Sequence, residues 1–325
     1  MENLLFAANA VVPVFLLIAV GVCARLGGIL DDEAVGRLAR LSFVVAMPAL
    51  VFLVIAEADI AEAWNAGAVL AFLAAVVTAL LVGLLTARLA GMSAVRAGTF
   101  VAACHRANVV IVGLAVLESA YGRKWMAPGG MLAAAGVLIF NPLAVVCLTL
   151  PHHSLRGGRN LFRVFMRLGT NPLIIGAVAG IAWNLLASRY GLSIPRILDQ
   201  PLSWLGRMCL PLALITVGAS LRPSSLRRGM GHVFAISALK LLLEPAVALG
   251  IVWPMGIGKM YVGAVVVCLS APTAIATYTM VRAMKGDDEL ASQTVTATTG
   301  LSVVTMAAWL LILQALGVAP PAAGP

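Results

Sequence analysis

Polar residues interrupt two long apolar stretches of the chain, and together they could form a binding site. The first interruption runs from His105 to Asn108, and the second, 165 residues later, runs from Ser270 to Thr273. Arginine supplies positive charge and asparagine supplies both a donor and an acceptor, so the first interruption can bind a polar ligand. Unpaired backbone at bilayer depth is tolerated only where it is buried in protein or lines a cavity. One break in each half of the chain therefore predicts a central binding site, as in secondary transporters.

Arg106 and Asn108 are predicted to lie deep in the membrane. Arg106 follows Arg96 by ten positions, or about 15 Å of helix. A charge at that depth is costly unless it meets water, a partner or a substrate. We therefore predict that Arg106 and Asn108 bind substrate, with a purely structural polar cluster as the alternative. His105 either hydrogen-bonds a neighbouring helix or relays a coupling proton.

Helix-breaking residues mark the same two regions. Pro272 lacks an amide hydrogen and clashes with the preceding turn, which frees the carbonyls near Leu269 and the hydroxyl of Thr273 for a ligand or a crossing helix. Gly113 is predicted to help break the first stretch. Asn141 lies in the middle of another apolar stretch. We predict that Asn141, Pro272 and Thr273 complete the substrate site.

Lys240 and Glu244 are four residues apart, which places them on one helical face close to mid-membrane. A buried ion pair that joins helices is one interpretation, because pairing is how buried charges normally persist. Alternatively, Glu244 takes up and releases a coupling proton while Lys240 alternates between Glu244 and an anionic substrate. Both interpretations stay open.

Hydroxyls and small residues in other apolar stretches indicate packing. Thr298, Ser302 and Thr305 share one helical face, where hydroxyls often serve as interhelical hydrogen bonders. Gly176 and Gly180 form a weak motif for close helix packing. We predict a packing role for all of them.

The elements that position these residues are membrane helices. The chain is 62% hydrophobic and only 11% charged, with a mean hydropathy of +1.02, so most of its surface must face lipid. Ten windows are long enough to cross about 30 Å of hydrocarbon. They are Leu4 to Arg25, Leu38 to Ala56, Trp64 to Arg88, Ala97 to Leu117, Pro128 to Leu150, Asn171 to Ser188, Pro201 to Leu221, His232 to Trp253, Tyr261 to Met284 and Ala291 to Leu316. The sequence predicts an all-α polytopic membrane protein with ten transmembrane helices.

Basic residues predict the orientation of these spans. With the N-terminus outside, the loops assigned to the cytoplasm hold most of the Lys and Arg, whereas the acidic residues Glu57, Asp59 and Glu62 fall outside. Both termini are therefore predicted to be external, in the cell inner membrane. The net charge of +9 is explained by basic loops that are attracted to the anionic cytoplasmic leaflet. The first window has no basic lead or small-residue cleavage site, so we expect it to remain as the first helix.

Other functional classes lack support in the sequence. The five cysteines have no C-x-x-C or Cys/His metal spacing, and we expect them to pack within the spans. His152 and His153 are predicted to be a solvated pair in a basic loop. No phosphate-binding loop, dinucleotide fingerprint, nucleophile elbow or zinc-protease helix occurs. We predict no enzymatic activity, catalytic residue, cofactor, metal site or nucleic-acid partner.

The chain is organised as a duplication. Residues 1–150 and 170–325 each contain five spans, and an offset of about 160 to 165 residues aligns Pro48 with Pro211 and Gly98 with Gly263. Because five is odd, the second repeat must enter the membrane from the opposite side, which makes the two repeats inverted. Residues 151–169 are predicted to be a basic cytoplasmic connector between them.

Six segments of the sequence, in this order and spacing, resemble the auxin efflux carrier family of bacteria and plants over nearly the whole chain. They are Leu30 to Pro48, His105 to Gly113, Phe140 to Pro142, Lys240 to Pro245, Ala271 to Ala274 and Gly286 to Thr305. The resemblance implies that spans four and nine unwind and cross, that spans one, two, six and seven form a scaffold, and that the remaining spans move. It also implies that Asn108 and the Pro272-Thr273 break line a site for malonate, malate or an auxin-like carboxylate. Ala115 departs from a Pro that members often have there, which leaves the first break to Asn108 and Gly113.

The sequence thus predicts an ion-coupled secondary transporter that moves a small carboxylate across the bilayer by alternating access. Arg106 or Lys240 would supply charge, and helix N-termini and the Asn108 amide would supply donors. The acidic Glu244 leaves the coupling ion open between proton and sodium. The alternatives are a cation/proton antiporter that uses Lys240 and Glu244, or a channel. The oligomeric state stays open, with a homodimer among the alternatives.

Overall fold

A computed structural model describes residues 2–58, 64–149, 171–223 and 230–318. Within these ranges the regular structure is helical, apart from one isolated backbone bridge between Ala107 and Thr273. The helices, numbered in chain order, are α1 (Glu2–Leu26), α2 (Asp32–Ala56), α3 (Ala66–Leu89), α4 (Ala94–His105), α5 (Val109–Tyr121), α6 (Arg123–Thr149), α7 (Pro172–Tyr190), α8 (Arg196–Ser220), α9 (Met230–Met255), α10 (Lys259–Ser270), α11 (Ile275–Ala283) and α12 (Asp288–Ala315).

Eight of the described helices are long and apolar enough to cross a membrane, namely α1, α2, α3, α6, α7, α8, α9 and α12. They match eight of the ten predicted windows. The other two windows, the fourth and the ninth, are each divided into two shorter helices, α4 with α5 and α10 with α11. Large apolar side chains such as Leu16, Leu70 and Val304 are exposed on the long helices, as lipid contact requires. The prediction of an all-helical, multi-pass membrane protein is confirmed.

Polar side chains fix the ends of several helices. The Asn65 side chain accepts a hydrogen bond from the amide of Ala68 (3.0 Å) at the start of α3, and Asp287 does the same for Leu290 (2.9 Å) at the start of α12. Such caps satisfy amides that have no partner within their own helix. These short polar signals explain why long apolar helices begin where they do.

Glycines bring α1 and α8 into close contact. A Cβ atom on Gly218 would lie 1.8 Å from the carbonyl oxygen of Ile18, and one on Gly21 would lie 2.0 Å from that of Ile215. Only glycine permits backbones to approach this closely. The α1–α8 pair is therefore fixed by two reciprocal glycine contacts.

A second pair, α2 and α7, is packed in the same way. A Cβ atom on Gly176 would lie 2.6 Å from the carbonyl oxygen of Pro48, and one on Gly180 would lie 2.9 Å from that of Phe52. The predicted packing role of Gly176 and Gly180 is confirmed. Asn184 of α7 adds hydrogen bonds to carbonyls at the end of α2, and so satisfies groups that the helix leaves unpaired.

The predicted basic connector, residues 151–169, lies outside the described residues, as do His152 and His153. Asp59 and Glu62 of the predicted external acidic cluster also lie outside them. The described Glu57 forms an ion pair with Arg123 at 3.0 Å. The orientation of the chain in the bilayer stays a prediction.

Candidate functional site

The two helix breaks meet in space. Residues 106–108 separate α4 from α5, and residues 271–274 separate α10 from α11. The amide of Asn108 donates to the carbonyl of Pro272 (2.8 Å), and the amide of Ala274 donates to the carbonyl of Arg106 (2.9 Å). Backbone groups that each break removes from its helix are thus paired with the other break. This exchange satisfies backbone that would otherwise be unpaired inside an apolar region.

Neighbouring helices hold the second break in place. The amide of Thr273 donates to the hydroxyl oxygen of Thr298 on α12 (3.2 Å), and the Thr273 hydroxyl donates to the carbonyl of Ala103 on α4 (3.0 Å). Thr273 is only 1% exposed, so its side chain is committed to the fold. The sequence predicted only packing for Thr298, but the structure gives this residue a direct contact with the break. Thr305 from the same predicted band is partly buried, and among the described residues its hydroxyl donates only to the carbonyl of Leu301 in its own helix.

Lys240 caps the helix that precedes the second break. Its amino group forms an ion pair with Glu244 and donates to the carbonyl of Leu269 at 3.0 Å. In a continuous helix that carbonyl would accept from the amide of Thr273. The positive charge therefore lies at the C-terminal end of α10, where the helix dipole is negative. Lys240 and Glu244 are both 0% exposed.

Arg106 is a buried cation at the first break. It is 5% exposed and donates to the side-chain oxygen of Asn141 (3.0 Å) and to the sulfur of Met280 (2.9 Å). No carboxylate among the described residues lies within ion-pair distance of it, and its Nε has no hydrogen-bond partner there. Arg106 thus has an uncompensated charge and an unused donor.

A cavity of about 170 Å³ opens beside this arginine. Its polar lining comes from Arg106, Asn108, Asn141 and Asn171, and its apolar wall includes Phe140. A neighbouring cavity of about 240 Å³ shares part of this wall and continues between α2, α8 and α11. A few convergent polar groups on an apolar wall are typical of small-molecule sites.

Not all of the predicted site residues line this cavity. Arg106, Asn108 and Asn141 line it together, whereas Pro272 and Thr273 do not. From the second break, only Ala274 lines the cavity. Asn171 also lines the cavity, a role that the sequence analysis missed. The signal for Asn171 is only its place before a proline at the start of α7, where its side chain accepts from the amide of Leu173 at 3.0 Å.

Gly113 was predicted to break the helix and His105 to bond a neighbouring helix or relay a proton, and their contacts differ from these predictions. Gly113 ends a wide π-helical turn, Val109–Gly113, so the non-helical residues lie before it rather than at it. A Cβ atom on Gly113 would lie 3.3 Å from the Cα of Cys268, so the glycine permits close packing of α5 on α10. His105 is 0% exposed and its Nδ1 is bonded to the carbonyl of Val101 within its own helix (2.7 Å). His105 does not bond a neighbouring helix in this conformation, and its proton-relay role stays a prediction.

Comparisons with known proteins identify the family of the chain. The family model described as "Membrane transport protein" matches residues 6–153 and 158–310. The chain is 24% identical to an "Uncharacterized transporter" of Methanothermobacter thermautotrophicus, over 94% of this chain and 98% of the relative. It is 27% identical to a "Putative malonate transporter" of Rhizobium meliloti, over 94% of this chain and 95% of the relative.

A plant protein also matches part of the chain. The "Auxin efflux carrier component 3a" of Oryza sativa subsp. japonica is 29% identical over 121 residues, which are 37% of this chain and 18% of the plant protein. The family model covers both halves of the chain, including both breaks and the cavity between them. The chain therefore belongs to the membrane transport protein family that includes the auxin efflux carriers, and it is a membrane transporter rather than an enzyme.

Proposed function

We propose that the protein is a secondary active transporter that moves a small organic anion, such as malonate, malate or an auxin-like carboxylate, by alternating access. The observation that carries this proposal is Arg106. It is a buried arginine on the wall of a cavity, at the meeting point of two broken helices, and it lacks a carboxylate partner among the described residues. A buried cation of this kind favours an anionic ligand, because a carboxylate would compensate its charge.

Two helix N-termini face the same cavity. Helix α5 begins at Val109 and α11 begins at Ile275, and both residues line the cavity together with the residues that follow them. The first amides of a helix have no partner within the helix and carry a partial positive charge. Helix N-termini commonly bind anions for this reason. The Asn108 side chain, which is 6% exposed, adds a further donor at the same place.

The proposed fold is ten transmembrane passes in two inverted five-helix repeats with crossing spans four and nine. Spans one, two, six and seven are α1, α2, α7 and α8. A symmetry operation that exchanges α1 with α7 and α2 with α8 would convert the α1–α8 pair into the α7–α2 pair. Both pairs are packed through glycine. The two breaks would exchange with each other, and they pair through reciprocal backbone hydrogen bonds. An internal two-fold axis in the membrane plane would produce this pattern. We place both termini outside the cell inner membrane, from the distribution of basic residues.

In the proposed cycle, α1, α2, α7 and α8 form a scaffold against which the remaining helices move. The cavity wall supports this division, because Phe43 and Asn171 come from the scaffold and Arg106, Asn141 and Ile275 come from the other group. A movement of one group against the other would open the site to each side of the bilayer in turn.

The coupling ion is proposed to be a proton or sodium. Lys240, Glu244 and His105 are the candidate coupling residues, and all three are fully buried. The rival function is a cation/proton antiporter that exchanges its ions at the Lys240–Glu244 pair. The burial of that ion pair in the middle of α9 is the observation that supports this rival. The antiporter predicts no carboxylate binding, whereas the anion transporter requires it.

Uptake by purified protein in proteoliposomes tests the proposal. Labelled malonate, malate, succinate and indole-3-acetate would be supplied with a proton or a sodium gradient imposed in turn. We expect saturable uptake of at least one carboxylate, driven by one gradient. Arg106→Gln should lower kcat/KM by roughly 30-fold or more, because truncating one partner of a buried charge pair costs about 2–5 kcal/mol.

Arg189→Gln is the matched control, because Arg189 lies at the exposed end of α7 and lines none of the cavities described above. Its uptake should equal that of the unaltered protein. If the folded, unaltered protein takes up no carboxylate, the anion transporter is wrong and the antiporter becomes the leading function. Conductance that does not saturate would identify a channel instead.

A further inference from the structure

A separate cavity of about 350 Å³ lies where α1, α2, α5, α6 and α8 meet. Its ionisable lining residues are Glu118 on α5, Arg123 at the start of α6 and Arg207 on α8. Most of the remaining wall is apolar. The three charged side chains are exposed, so the cavity offers accessible charged groups beside an apolar wall, between the proposed scaffold and the proposed moving helices.

Arg207 is the cation of this cavity that has no carboxylate partner. It lies six residues after Pro201, where the predicted span begins, or about 9 Å along the helix, and its side chain is exposed. Among the described residues, no carboxylate lies within 4.0 Å of its guanidinium and no side chain or carbonyl accepts a hydrogen bond from it. A charge within an apolar span requires water, a partner or a ligand. The cavity is where Arg207 can meet one.

The other charges in the cavity are arranged differently. Arg123 is paired with Glu57 at 3.0 Å, so its charge is already compensated. Glu118 lies on α5 and Arg207 on α8, which form different walls of the cavity. Arg207 can therefore attract an anion, while Glu118 opposes its retention. A site that binds and releases an anion within a transport cycle needs both effects.

This cavity is close to the one beside Arg106. Along α5, Ile111 lines the first cavity and Ala115 lines the second, about 6 Å further along the helix. Along α2, Met47 lines the first cavity and Leu50 lines the second. About one helical turn separates the two spaces along each helix. The cavities thus lie on either side of a thin barrier, each with one arginine that has no carboxylate partner.

We propose that the 350 Å³ cavity is a second anion-binding site, in which Arg207 holds a small carboxylate on its way between bulk water and Arg106. The inference rests on the proposed function, since it assigns a second site to the same substrate class. Arg207 would bind the substrate directly, and Glu118 would limit how long it stays. In the proposed orientation, with both termini outside, this cavity lies on the external face.

Transport kinetics measured separately at each membrane face test this proposal. Right-side-out and inside-out vesicles of cells that express the full chain would receive the labelled carboxylate on one face at a time. Arg207→Gln should raise KM roughly five- to tenfold at the face of this cavity and leave KM at the other face within about twofold. Arg207→Lys keeps the charge but loses the planar fork, so its KM should be intermediate.

Glu118→Gln distinguishes a substrate-binding role of Arg207 from a role in closing the cavity. If Arg207 binds the substrate, removal of the Glu118 charge should lower KM at the same face. If Glu118 and Arg207 instead pair to close the cavity, both substitutions should impair transport alike, and that result would overturn the proposal. Arg189→Gln is again the control, and Arg207→Lys keeps the test decisive if Arg207→Gln does not fold.

The outcomes distinguish this inference from the function on which it rests. Unchanged KM at both faces for Arg207→Gln, in a protein that transports carboxylates and depends on Arg106, would refute the second site alone. A folded, unaltered protein that transports no carboxylate at either face would refute both. A rise in KM at both faces would make Arg207 part of the central site and would also overturn the proposal of a separate one.

Discussion

Replacement of Lys240 by Met should destabilise the fold strongly, and a second replacement of Glu244 by Leu should recover much of that loss. Lys240 is fully buried, forms an ion pair with Glu244 and donates to the carbonyl of Leu269 at 3.0 Å. Methionine retains the unbranched, flexible shape of the side chain without its charge. The substitution therefore removes the cation while the core around it can still pack.

The structure sets the size of each effect. Lys240→Met leaves the Glu244 carboxylate buried without a cation, which costs about 3–5 kcal/mol in the free energy of unfolding. Glu244→Leu leaves Lys240 with only the Leu269 carbonyl, and a similar loss is expected. In the double variant the remaining defect is one carbonyl without its donor, which costs about 1–3 kcal/mol. The coupling energy between the two sites should therefore be several kcal/mol and favourable.

Equilibrium unfolding of the four proteins in mixed detergent micelles measures this cycle. Additive losses in the double variant would refute the reasoning, because they would mean that the two charges do not compensate each other. A Lys240→Met protein as stable as the unaltered one would refute it as well. Gradient-driven uptake by Glu244→Gln then separates a structural role from a coupling role. Uptake at full rate would make Glu244 structural. Loss of gradient dependence with intact substrate exchange would make it a coupling residue.

Three further outcomes follow from the same contacts. Asn108→Ala should abolish carboxylate binding measured by calorimetry while the protein stays folded, because the change removes a donor and an acceptor at the cavity wall; unchanged affinity would exclude Asn108 from the site. Gly218→Ala should lower the free energy of unfolding by about 1–3 kcal/mol, because its Cβ would meet a backbone carbonyl of α1 at 1.8 Å. Gly231→Ala, which meets nothing within 4 Å, should not be destabilising. Thr298→Val should destabilise the fold by about 1–3 kcal/mol, because the buried amide of Thr273 loses its acceptor, and equal stability would refute that contact.

Local chemistry made much of the fold predictable. Pro272 cannot donate a backbone hydrogen bond, and α10 ends two residues before it. The polar run from His105 to Asn108 likewise contains the end of α4 and the first break. Gly176 and Gly180 predicted close packing from their spacing alone, and they contact α2 as expected. In each case the residue acts on its own helix or its immediate neighbour.

The long-range partners of the candidate site were not predictable in this way. Thr298 has the same residue type and helical face as Thr305, yet only Thr298 contacts the second break. Arg207 has no special neighbours in sequence, and the cavity in which we propose its role is formed by five helices. Asn171 lines the 170 Å³ cavity beside Arg106, and that cavity is likewise formed by several helices.

The sequence by itself determined that this chain crosses a membrane repeatedly, where its helices break and which buried charges need compensation. Those properties depend on hydropathy, on proline geometry and on the cost of a charge in an apolar medium, all of which act within a few residues. Only the tertiary structure decided that Arg106 faces a cavity without a carboxylate partner among the described residues, whereas Lys240 reaches the Leu269 carbonyl on another helix. The physical reason is that such contacts join residues far apart in the chain, and the packing of helices selects among them.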